Sequence, residues 1–341
     1  MIFRSRKLFA RFSLTRSLTR SLTLSLAPSL ALGVATLAAP SAQAQEWPTR
    51  PIRLVVPFSA GGANDLLGRA AAEGATKVLG QPVVIDNRPG AGAVLGADIV
   101  AHAAPDGYTF LVSAAGVVSN SMIKKSMPYK DNQLVPVAMI GLAPSVIVVP
   151  ANAPYKDLPA FIAASKQGAG LHFATAGTGS TPHFVEGLLA TKYGAKLDVV
   201  PYKSGAESIT AVLGAFVEAT SEASIVVLPH LKSGKLHSLA DTWTTRISAY
   251  PDLKTAAEQG FPEIRIAHWA GVHAPAGTPR AIMDKMAAAV DKAMKDPAAI
   301  ERLKNVGIEP IGGNRASFVK FVDEERARLG GVVKSTGMKE D

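Results

Sequence analysis

The chain has 341 residues and contains no cysteine. A disulfide framework and a lipid anchor on cysteine are therefore both excluded. Beyond residue 44 the sequence also lacks an apolar run long enough to cross a bilayer. Because 48% of the residues are hydrophobic and 18% are charged, the composition is that of a globular protein with room for two domains.

Acidic residues are absent from the first 44 residues, which carry basic side chains at Arg4, Arg6, Lys7, Arg11, Arg16 and Arg20. A Leu- and Ala-rich run follows and ends in Ala42-Gln43-Ala44. A basic segment, an apolar segment and an A-x-A site in this order predict a cleavable secretory signal at residues 1–44, with Gln45 as the first mature residue. An uncleaved membrane anchor is the alternative, which Pro28 and the scattered Ser and Thr residues disfavour.

The basic excess of the chain belongs largely to that leader. Six of the 36 Lys and Arg residues lie in it, so the remaining chain has 30 of them against 27 Asp and Glu, a net charge of +3. No cluster of Lys and Arg interleaved with aromatic residues occurs in the remainder. The sequence therefore does not indicate a nucleic-acid partner.

Short apolar runs alternate with helical patterns from residue 52 onward. Strand patterns at residues 52–56, 171–175 and 197–200 are each followed by a loop and a helical pattern. Two further apolar runs, at residues 135–140 and 146–150, also predict strands. This alternation predicts an α/β fold with parallel strands and βαβ crossovers. Ligands of such folds bind outside the carboxyl ends of the strands.

The loop after the first strand is the first candidate ligand site. A Pro- and Gly-rich turn leads into a helix for which Asn64 or Asp65 is the expected N-cap. Such a loop points backbone N–H groups and the positive end of a helix dipole at one spot, where an anion can bind. The candidate residues are Phe58, Ser59, Gly62, Ala63, Asn64 and Asp65.

A second loop of the same kind, at residues 174–183, contributes Thr178, Gly179, Ser180 and His183. Ser113, at the end of another predicted strand, is a further candidate and begins a third predicted loop, Ser113-Ala114-Ala115-Gly116. Any α/β turn needs glycines, so one such loop alone would carry little weight. Two loops that face each other across a cleft would enclose a small anion.

Three other kinds of site are disfavoured. Gly90, Gly92 and Gly96 have G-x-G-x-x-x-G spacing, one residue off the dinucleotide fingerprint, so we expect a tight turn there and no cofactor. Ser180 and His183 are three residues apart on one loop without a G-x-S-x-G elbow, so we expect no hydrolase and no enzyme. No metal site is predicted, because the histidines lack ligand spacing; six of the seven are scattered between residues 172 and 273, namely His172, His183, His230, His237, His268 and His273.

Several motifs beyond the leader resemble those of one family. They are Pro51-Ile52-Arg53 with Pro57-Phe58-x-x-Gly61-Gly62, Asn87-Arg88-Pro89-Gly90-Ala91-Gly92, Pro105-Asp106-Gly107-Tyr108-Thr109, Val200-Pro201-Tyr202-Lys203 and Ala274-Pro275-Ala276-Gly277-Thr278-Pro279. In this order they resemble the Bug receptors, the periplasmic solute-binding proteins of tripartite tricarboxylate transporters. The resemblance covers the mature chain from end to end.

The resemblance implies an α/β fold like that of type II periplasmic binding proteins, with two lobes, a hinge of two crossover strands and a small carboxylate in the cleft. Lobe one would comprise residues 45–146 and 271–341, and lobe two residues 147–270, with crossings near Val146 and Ile266. We expect a monomeric periplasmic receptor that delivers its ligand to the membrane components of such a transporter. A sensor with a regulatory partner is the alternative.

The resemblance also assigns ligand contacts to both loops and to an acidic residue at Glu222, where the family usually has aspartate. Departures from the family pattern are Ser59 and Ala60 for prolines and Ala63-Asn64 for a Ser/Thr pair. Because residues 57–65, 174–183 and 220–225 contain no Lys or Arg, we expect one carboxylate to be held by backbone N–H groups and hydroxyls. An ionised Glu222 would favour a ligand whose far end is an ammonium, hydroxyl or ring N–H, such as an amino acid or a hydroxy or nitrogen-containing aromatic acid, ahead of citrate-like molecules. A solvent-exposed Glu222 is the alternative.

Overall fold

The computed structural model describes residues 46–339, so the predicted signal at residues 1–44 and the cleavage site before Gln45 lie outside the described residues. The strands in that range are β1 Ile52–Val56, β2 Val83–Asn87, β3 Thr109–Ser113, β4 Leu134–Pro150, β5 Leu171–Thr175, β6 Leu197–Pro201, β7 Ala219–Ala223, β8 Leu236–Asp241, β9 Ala267–Pro275 and β10 Glu309–Pro310. The α-helices are α1 Ala63–Leu79, α2 Val94–Ala101, α3 Ala115–Ile123, α4 Leu158–Ser165, α5 Thr181–Tyr193, α6 Gly205–Leu213, α7 Ser224–Lys232, α8 Arg280–Met294, α9 Pro297–Asn305 and α10 Arg315–Thr336. Within residues 46–339, no helix combines the length and apolar character that a membrane crossing requires.

The strands form two sections of the same design. The first has the order β2-β1-β3-β9-β4, and the second has the order β6-β5-β7-β4-β8. In each section three parallel strands meet one antiparallel strand, which is β9 beside β3 and β4 beside β7. The predicted α/β class with parallel βαβ units is confirmed.

Strand β4 belongs to both sections. Its first part pairs with β9, from Leu134 opposite Pro275 to Pro144 opposite Ala267, and its second part pairs with β7 and β8. The sequence pattern predicted two strands here, at residues 135–140 and 146–150; both runs are in strand conformation, but their separation into two strands is wrong. The strand continues through Gly141, where a Cβ would lie 2.7 Å from the Glu309 carbonyl oxygen, so glycine here permits the close approach of β10 rather than a break.

Hydrophobic cores lie in both sections. Phe110 and Leu67 are fully buried in the first, where α1 and α8 approach so closely that a methyl group at Gly74 would lie 2.3 Å from the Ala293 Cβ. Phe173 and Phe184 are fully buried in the second. The sections position the site because β1 and β3 lead into α1 and α3, whereas β5, β6 and β7 lead into α5, α6 and α7. The lobe boundaries at residues 146 and 270 stay a prediction.

Candidate ligand-binding site

A pocket lies where the loops of the two sections meet. We call it the inner pocket; its cavity measures about 40 Å³, enough for a few water molecules. Its lining residues are Phe58, Gly62, Ala63, Asn64, Gly92, Ala114, Ala115, Gly116, Ala176, Gly179, Ser180, Thr181, Pro182, Ser204, Gly205, Glu222, Val226 and His268. None of them is Lys or Arg, so no basic side chain of the lining supplies a counter-charge for an anion.

Four helices begin at the inner pocket. Their first residues, Ala63 of α1, Ala115 of α3, Thr181 of α5 and Gly205 of α6, all line it. The N-cap residues of α1, α3 and α5 make no side-chain capping bond. The first N–H groups of a helix have no partner within the helix and carry partial positive charge. The pocket therefore offers backbone donors of the kind that bind a carboxylate.

The expected N-cap at Asn64 or Asp65 is wrong, because α1 begins at Ala63 and its N-cap is Gly62. The side chains of Asn64 and Asp65 are both buried, and neither serves as the N-cap of α1. Asn64 Nδ2 donates to the carbonyl oxygens of Ser113 and Trp269, at 3.4 and 3.1 Å. Asp65 Oδ2 accepts a 2.9 Å hydrogen bond from the Gly61 N–H.

Asp65 is also held by Arg69 and Asn87, at 2.8 and 2.9 Å. Burial alone would raise the pKa of Asp65, but these hydrogen bonds and that from Gly61 outweigh burial and hold the pKa below its usual value. The carboxylate therefore shapes the loop that precedes α1.

Seven of the residues predicted for the ligand site line the inner pocket, namely Phe58, Gly62, Ala63, Asn64, Gly179, Ser180 and Glu222. Ser59 and Thr178 line a neighbouring cavity, which we call the outer cavity. Asp65, Ser113 and His183 line neither. Ser113 Oγ is buried and donates to the Gly271 carbonyl oxygen at 3.0 Å.

Sequence reasoning did not select several lining residues. The turn before α6, with Ser204 and Gly205, had the same strand, loop and helix pattern as the selected loops, and that signal could have found it. The helix that starts at Ala115 was missed because its first residues were interpreted only as a loop. Nothing in the sequence pointed to His268, one of two histidines in the buried strand β9.

Glu222 lies at the end of β7 and is only 3% exposed, which contradicts the solvent-exposed alternative. Its Oε1 has no hydrogen-bond partner among the described residues. A Cβ at Gly205 would lie 2.3 Å from Glu222 Oε2, so the carboxyl group packs directly on the backbone at the start of α6. Burial raises the pKa of Glu222 to about 8, although a hydrogen bond from the Ala223 backbone lowers it. The expected negative charge is therefore corrected to a mostly neutral carboxyl group at pH 7.

His268 Nε2 lies 3.9 Å from Glu222 Oε2 and 3.2 Å from Ser145 Oγ, which in turn lies 2.7 Å from Ser221 Oγ. An ion pair would require an imidazolium, but burial lowers the pKa of His268 to about 3. Desolvation penalises the charge on both groups, so we regard Glu222 and His268 as a neutral polar pair. A protonated Glu222 can donate one hydrogen bond and accept others.

The loops of the two sections touch beside the pocket. A Cβ at Gly92 would lie 2.9 Å from the Thr178 carbonyl oxygen, and a Cβ at Gly179 would lie 3.1 Å from Asn120 Oδ1. Both glycines have positive φ, 62° and 77°. Small residues at these positions therefore allow the two sections to approach each other closely.

Two polar side chains of the loop at residues 174–183 form hydrogen bonds with the backbone of that same loop. Ser180 Oγ donates to the Gly177 carbonyl oxygen at 2.6 Å, and His183 Nδ1 accepts from the Gly179 N–H at 3.2 Å. This geometry gives no support to a hydrolase. Among residues 46–339, no group of three or more His, Cys, Asp or Glu side chains could hold a metal ion.

Two α/β sections that share a long strand and enclose a pocket between helix N-termini define a two-lobed solute-binding protein. The model of the family described as "Tripartite tricarboxylate transporter family receptor" matches residues 67–338, and the chain belongs to that family. Protein BugT of Bordetella pertussis is 36% identical over 90% of this chain and 95% of its own length.

Two solved structures extend the comparison. Rpa4515 of R. palustris with adipate has 31% identity and a TM-score of 0.82, with 86% of this chain and 99% of that chain covered. MatC from Rhodopseudomonas palustris with bound malate has 30% identity and a TM-score of 0.77, with 84% and 99% covered. The resemblance to Bug receptors and the predicted fold class are confirmed. The protein is a solute-binding receptor of a periplasmic family.

Proposed function

We propose that the protein binds a small organic carboxylate in the inner pocket and delivers it to the membrane components of a tripartite tricarboxylate-type transporter. The observation that carries this proposal is the convergence of four helix N-termini on a pocket whose lining has no Lys or Arg. Backbone N–H groups there would hold the carboxylate. Membership in the receptor family supports the transport role.

The chemistry of the ligand follows from a neutral Glu222. An ionised carboxylate in the pocket would repel an anion, whereas a protonated carboxyl group donates a hydrogen bond to one. The ligand's carboxylate can therefore lie beside Glu222, and a far-end ammonium is not required. Relatives with adipate and malate support a carboxylate class that includes dicarboxylates and hydroxy acids.

The ligand would close two lobes over itself, as in other hinged binding proteins. We place lobe one at residues 45–146 and 271–341 and lobe two at residues 147–270, with β4 and β9 as the crossing strands. The direct contact of Gly92 with Thr178 supports a conformation in which these loops meet. Export as a cleaved, monomeric periplasmic protein completes the proposal.

A thermal-shift screen of small carboxylates tests the binding step. A ligand at about 100 times its dissociation constant adds roughly 2.7 kcal/mol to the free energy of unfolding. We expect mono- or dicarboxylates to raise the melting temperature and the matching alcohols to leave it unchanged. No shift across a broad carboxylate panel would contradict the proposal.

The transport step needs a separate experiment in cells. Deletion of the gene should abolish uptake of the identified carboxylate, and the wild-type gene should restore it. Uptake that persists while only gene expression responds to the ligand would favour the sensor alternative.

A further inference from the structure

Two strands follow one another along β4 and leave one residue of β4 between them. β9 pairs with β4 as far as Pro144, which lies opposite Ala267, and β8 pairs with β4 from Val146, which lies opposite Asp241. Ser145 belongs to neither of these two ladders. It therefore lies at the point where β4 passes from the first section to the second, next to the proposed boundary between the lobes.

Thr242 follows β8 directly, is fully buried and fills this gap. Its backbone N–H and its Oγ1 both donate to the Ser145 carbonyl oxygen, at 2.8 and 2.9 Å. Its Oγ1 also lies 2.6 Å from the carbonyl oxygen of Ile266, the residue before β9, and the Ile266 N–H donates to the Thr242 carbonyl oxygen at 2.9 Å. Thr242 thus joins β4 to the residue that leads into β9. We call Ser145, Thr242 and Ile266 the strand junction.

The hydroxyl group of Thr242 has a single proton and two carbonyl acceptors. The branched side chain is stiff about its first torsion, so burial keeps the hydroxyl group between the two carbonyl groups. Both acceptors are within reach only while Ser145 and Ile266 lie on either side of Thr242. They do so in this structure, in which Gly92 and Thr178 also bring the loops of the two sections into contact.

Ser145 also connects the strand junction to the inner pocket. Its Oγ lies 2.7 Å from Ser221 Oγ and 3.2 Å from His268 Nε2. Both serines are fully buried, so other groups of the protein have to satisfy their hydrogen bonds. His268 lines the inner pocket, as does Glu222, the neighbour of Ser221 in β7. A shift of Ser145 at the strand junction therefore moves a hydrogen-bond partner of a pocket residue.

We propose that Thr242 is a positioning residue for ligand binding, which ties β4 to the start of β9 in the closed conformation and so holds Ser145 and His268 in place at the inner pocket. Thr242 does not itself line that pocket. The inference rests on the proposed carboxylate binding and lobe closure. Because only the closed conformation brings both carbonyl groups to the hydroxyl group, the tie favours closure and thereby raises affinity for the ligand.

Thr242→Val removes the hydroxyl group and nearly keeps the shape of the side chain. Calorimetric titration with a carboxylate from the thermal-shift screen should show about fivefold weaker binding than for wild type, the effect of one lost hydrogen bond. Thr242→Ser returns the hydroxyl group and should restore most of the affinity.

Amide hydrogen exchange at Ile266 reports on the strand junction directly, because this N–H donates to the Thr242 carbonyl oxygen. Saturation with the carboxylate should slow exchange at Ile266 in wild type, since closure holds the junction together. The slowing should be smaller in Thr242→Val and should return in Thr242→Ser. A threonine that only stabilised the fold would leave this response to ligand unchanged.

Thr278→Val is the matched control. Thr278 is buried, and its Oγ1 donates to the Pro275 carbonyl oxygen at 2.8 Å, three residues away in the same loop. Its substitution also removes a buried hydroxyl bond, but affinity and the exchange response at Ile266 should stay as in wild type.

Two results would overturn the inference while carboxylate binding itself stands. One is wild-type affinity in Thr242→Val, and the other is a loss of affinity that Thr242→Ser does not restore. If the valine variant does not fold, wild type decides the question, because exchange at Ile266 that the ligand does not slow also overturns the inference. If no carboxylate binds wild type, the proposed function fails and the role of Thr242 fails with it.

Discussion

His268 Nε2 lies 3.9 Å from Glu222 Oε2, and both side chains line the inner pocket. The contact joins β9 to the end of β7, two strands that pair with different parts of β4. Burial drives the pKa of the carboxyl group up to about 8 and that of the imidazole down to about 3. The polar pair therefore stays neutral at pH 7, and Glu222, whose Oε1 has no hydrogen-bond partner among the described residues, keeps hydrogen-bonding capacity for a ligand.

The first prediction concerns stability and pH without ligand. Between about pH 4.5 and about pH 8, folded Glu222 retains a proton that the unfolded chain has released. The contribution of Glu222 to the free energy of unfolding is therefore fully present below about pH 4.5 and is lost as the pH rises toward 8. The neutral amide of Glu222→Gln does not titrate, so urea denaturation should show a smaller loss of stability for the variant over this range.

Two other buried carboxyl groups also make the stability of the wild type depend on pH, so the effect of Glu222 has to be measured as the difference between wild type and Glu222→Gln. Burial also raises the pKa of Asp241 and Glu186 to about 7, with the same sign of effect. Both remain in wild type and variant, so their contribution cancels in the difference. A stability difference between the two proteins that stays constant from acid to alkaline pH would show that Glu222 is not a buried neutral acid.

The second prediction concerns Gly205. A methyl group there would meet the Glu222 carboxyl group at 2.3 Å, while the φ of Gly205 is not positive and imposes no strain. We expect Gly205→Ala to displace the carboxyl group and weaken carboxylate binding at least about tenfold, on the scale of one lost hydrogen bond to a charged group. Calorimetry measures this directly.

Gly331→Ala is the control for that substitution. Gly331 lies within α10 with nothing near its Cβ position, so alanine should leave affinity unchanged and stabilise the fold by about 0.5 to 1 kcal/mol. Equal affinities for wild type and Gly205→Ala would show that Glu222 does not take part in ligand binding.

The third prediction concerns closure of the lobes. Gly92→Ala places a methyl group 2.9 Å from the Thr178 carbonyl oxygen, so it should hinder the approach of the loops and weaken ligand binding. Small-angle scattering of wild type should show compaction on saturation with ligand, and the variant should compact less. A radius of gyration that does not change when wild type binds its ligand would rule out closure.

Gly80→Ala separates this effect from backbone strain. Gly80 ends α1 with a φ of 68°, close to the 62° of Gly92, but has nothing near its Cβ position. Each substitution should cost about 1 kcal/mol of stability because alanine disfavours this conformation. Only Gly92→Ala should also lose affinity.

The fourth prediction concerns export. The A-x-A ending at Ala44 predicts that the exported protein begins at Gln45. Intact-mass spectrometry of protein from a periplasmic fraction should give the mass of residues 45–341. A mass that includes the Arg-rich leader would contradict cleavage.

The sequence predicted the fold class because periodicity reports which residues are buried, and β1 and β5 lie where the apolar runs placed them. The sequence pattern divided β4 into two strands, because Gly141 and Pro144 usually interrupt a strand when only neighbouring residues are considered. Strand β4 nevertheless accommodates Gly141 and Pro144, because β10 pairs with it at Gly141 and β9 pairs with it at Pro144. Both partner strands come from distant parts of the chain, so a local pattern does not reveal them.

Part of the candidate site could be predicted from the sequence, because some of its residues belong to local patterns. Glycine loops before helices are local patterns, so Gly62 and Gly179 could be selected. The ionisation of Glu222 could not be predicted, because it depends on burial against Gly205 and His268. The buried roles of Ser113 and Asn64 likewise depend on β9, which follows both by more than 150 residues.

The most direct test of the account is a calorimetric titration with a carboxylate from the screen and with its primary amide. The two ligands have nearly the same shape but differ in charge at the group that the helix N-termini would hold. We predict that the carboxylate binds the exported protein more than about tenfold more tightly than the amide at pH 7. Equal affinity for the amide, or binding that persists unchanged when the carboxylate is replaced by an alcohol, would contradict the claim that the inner pocket is an anion site.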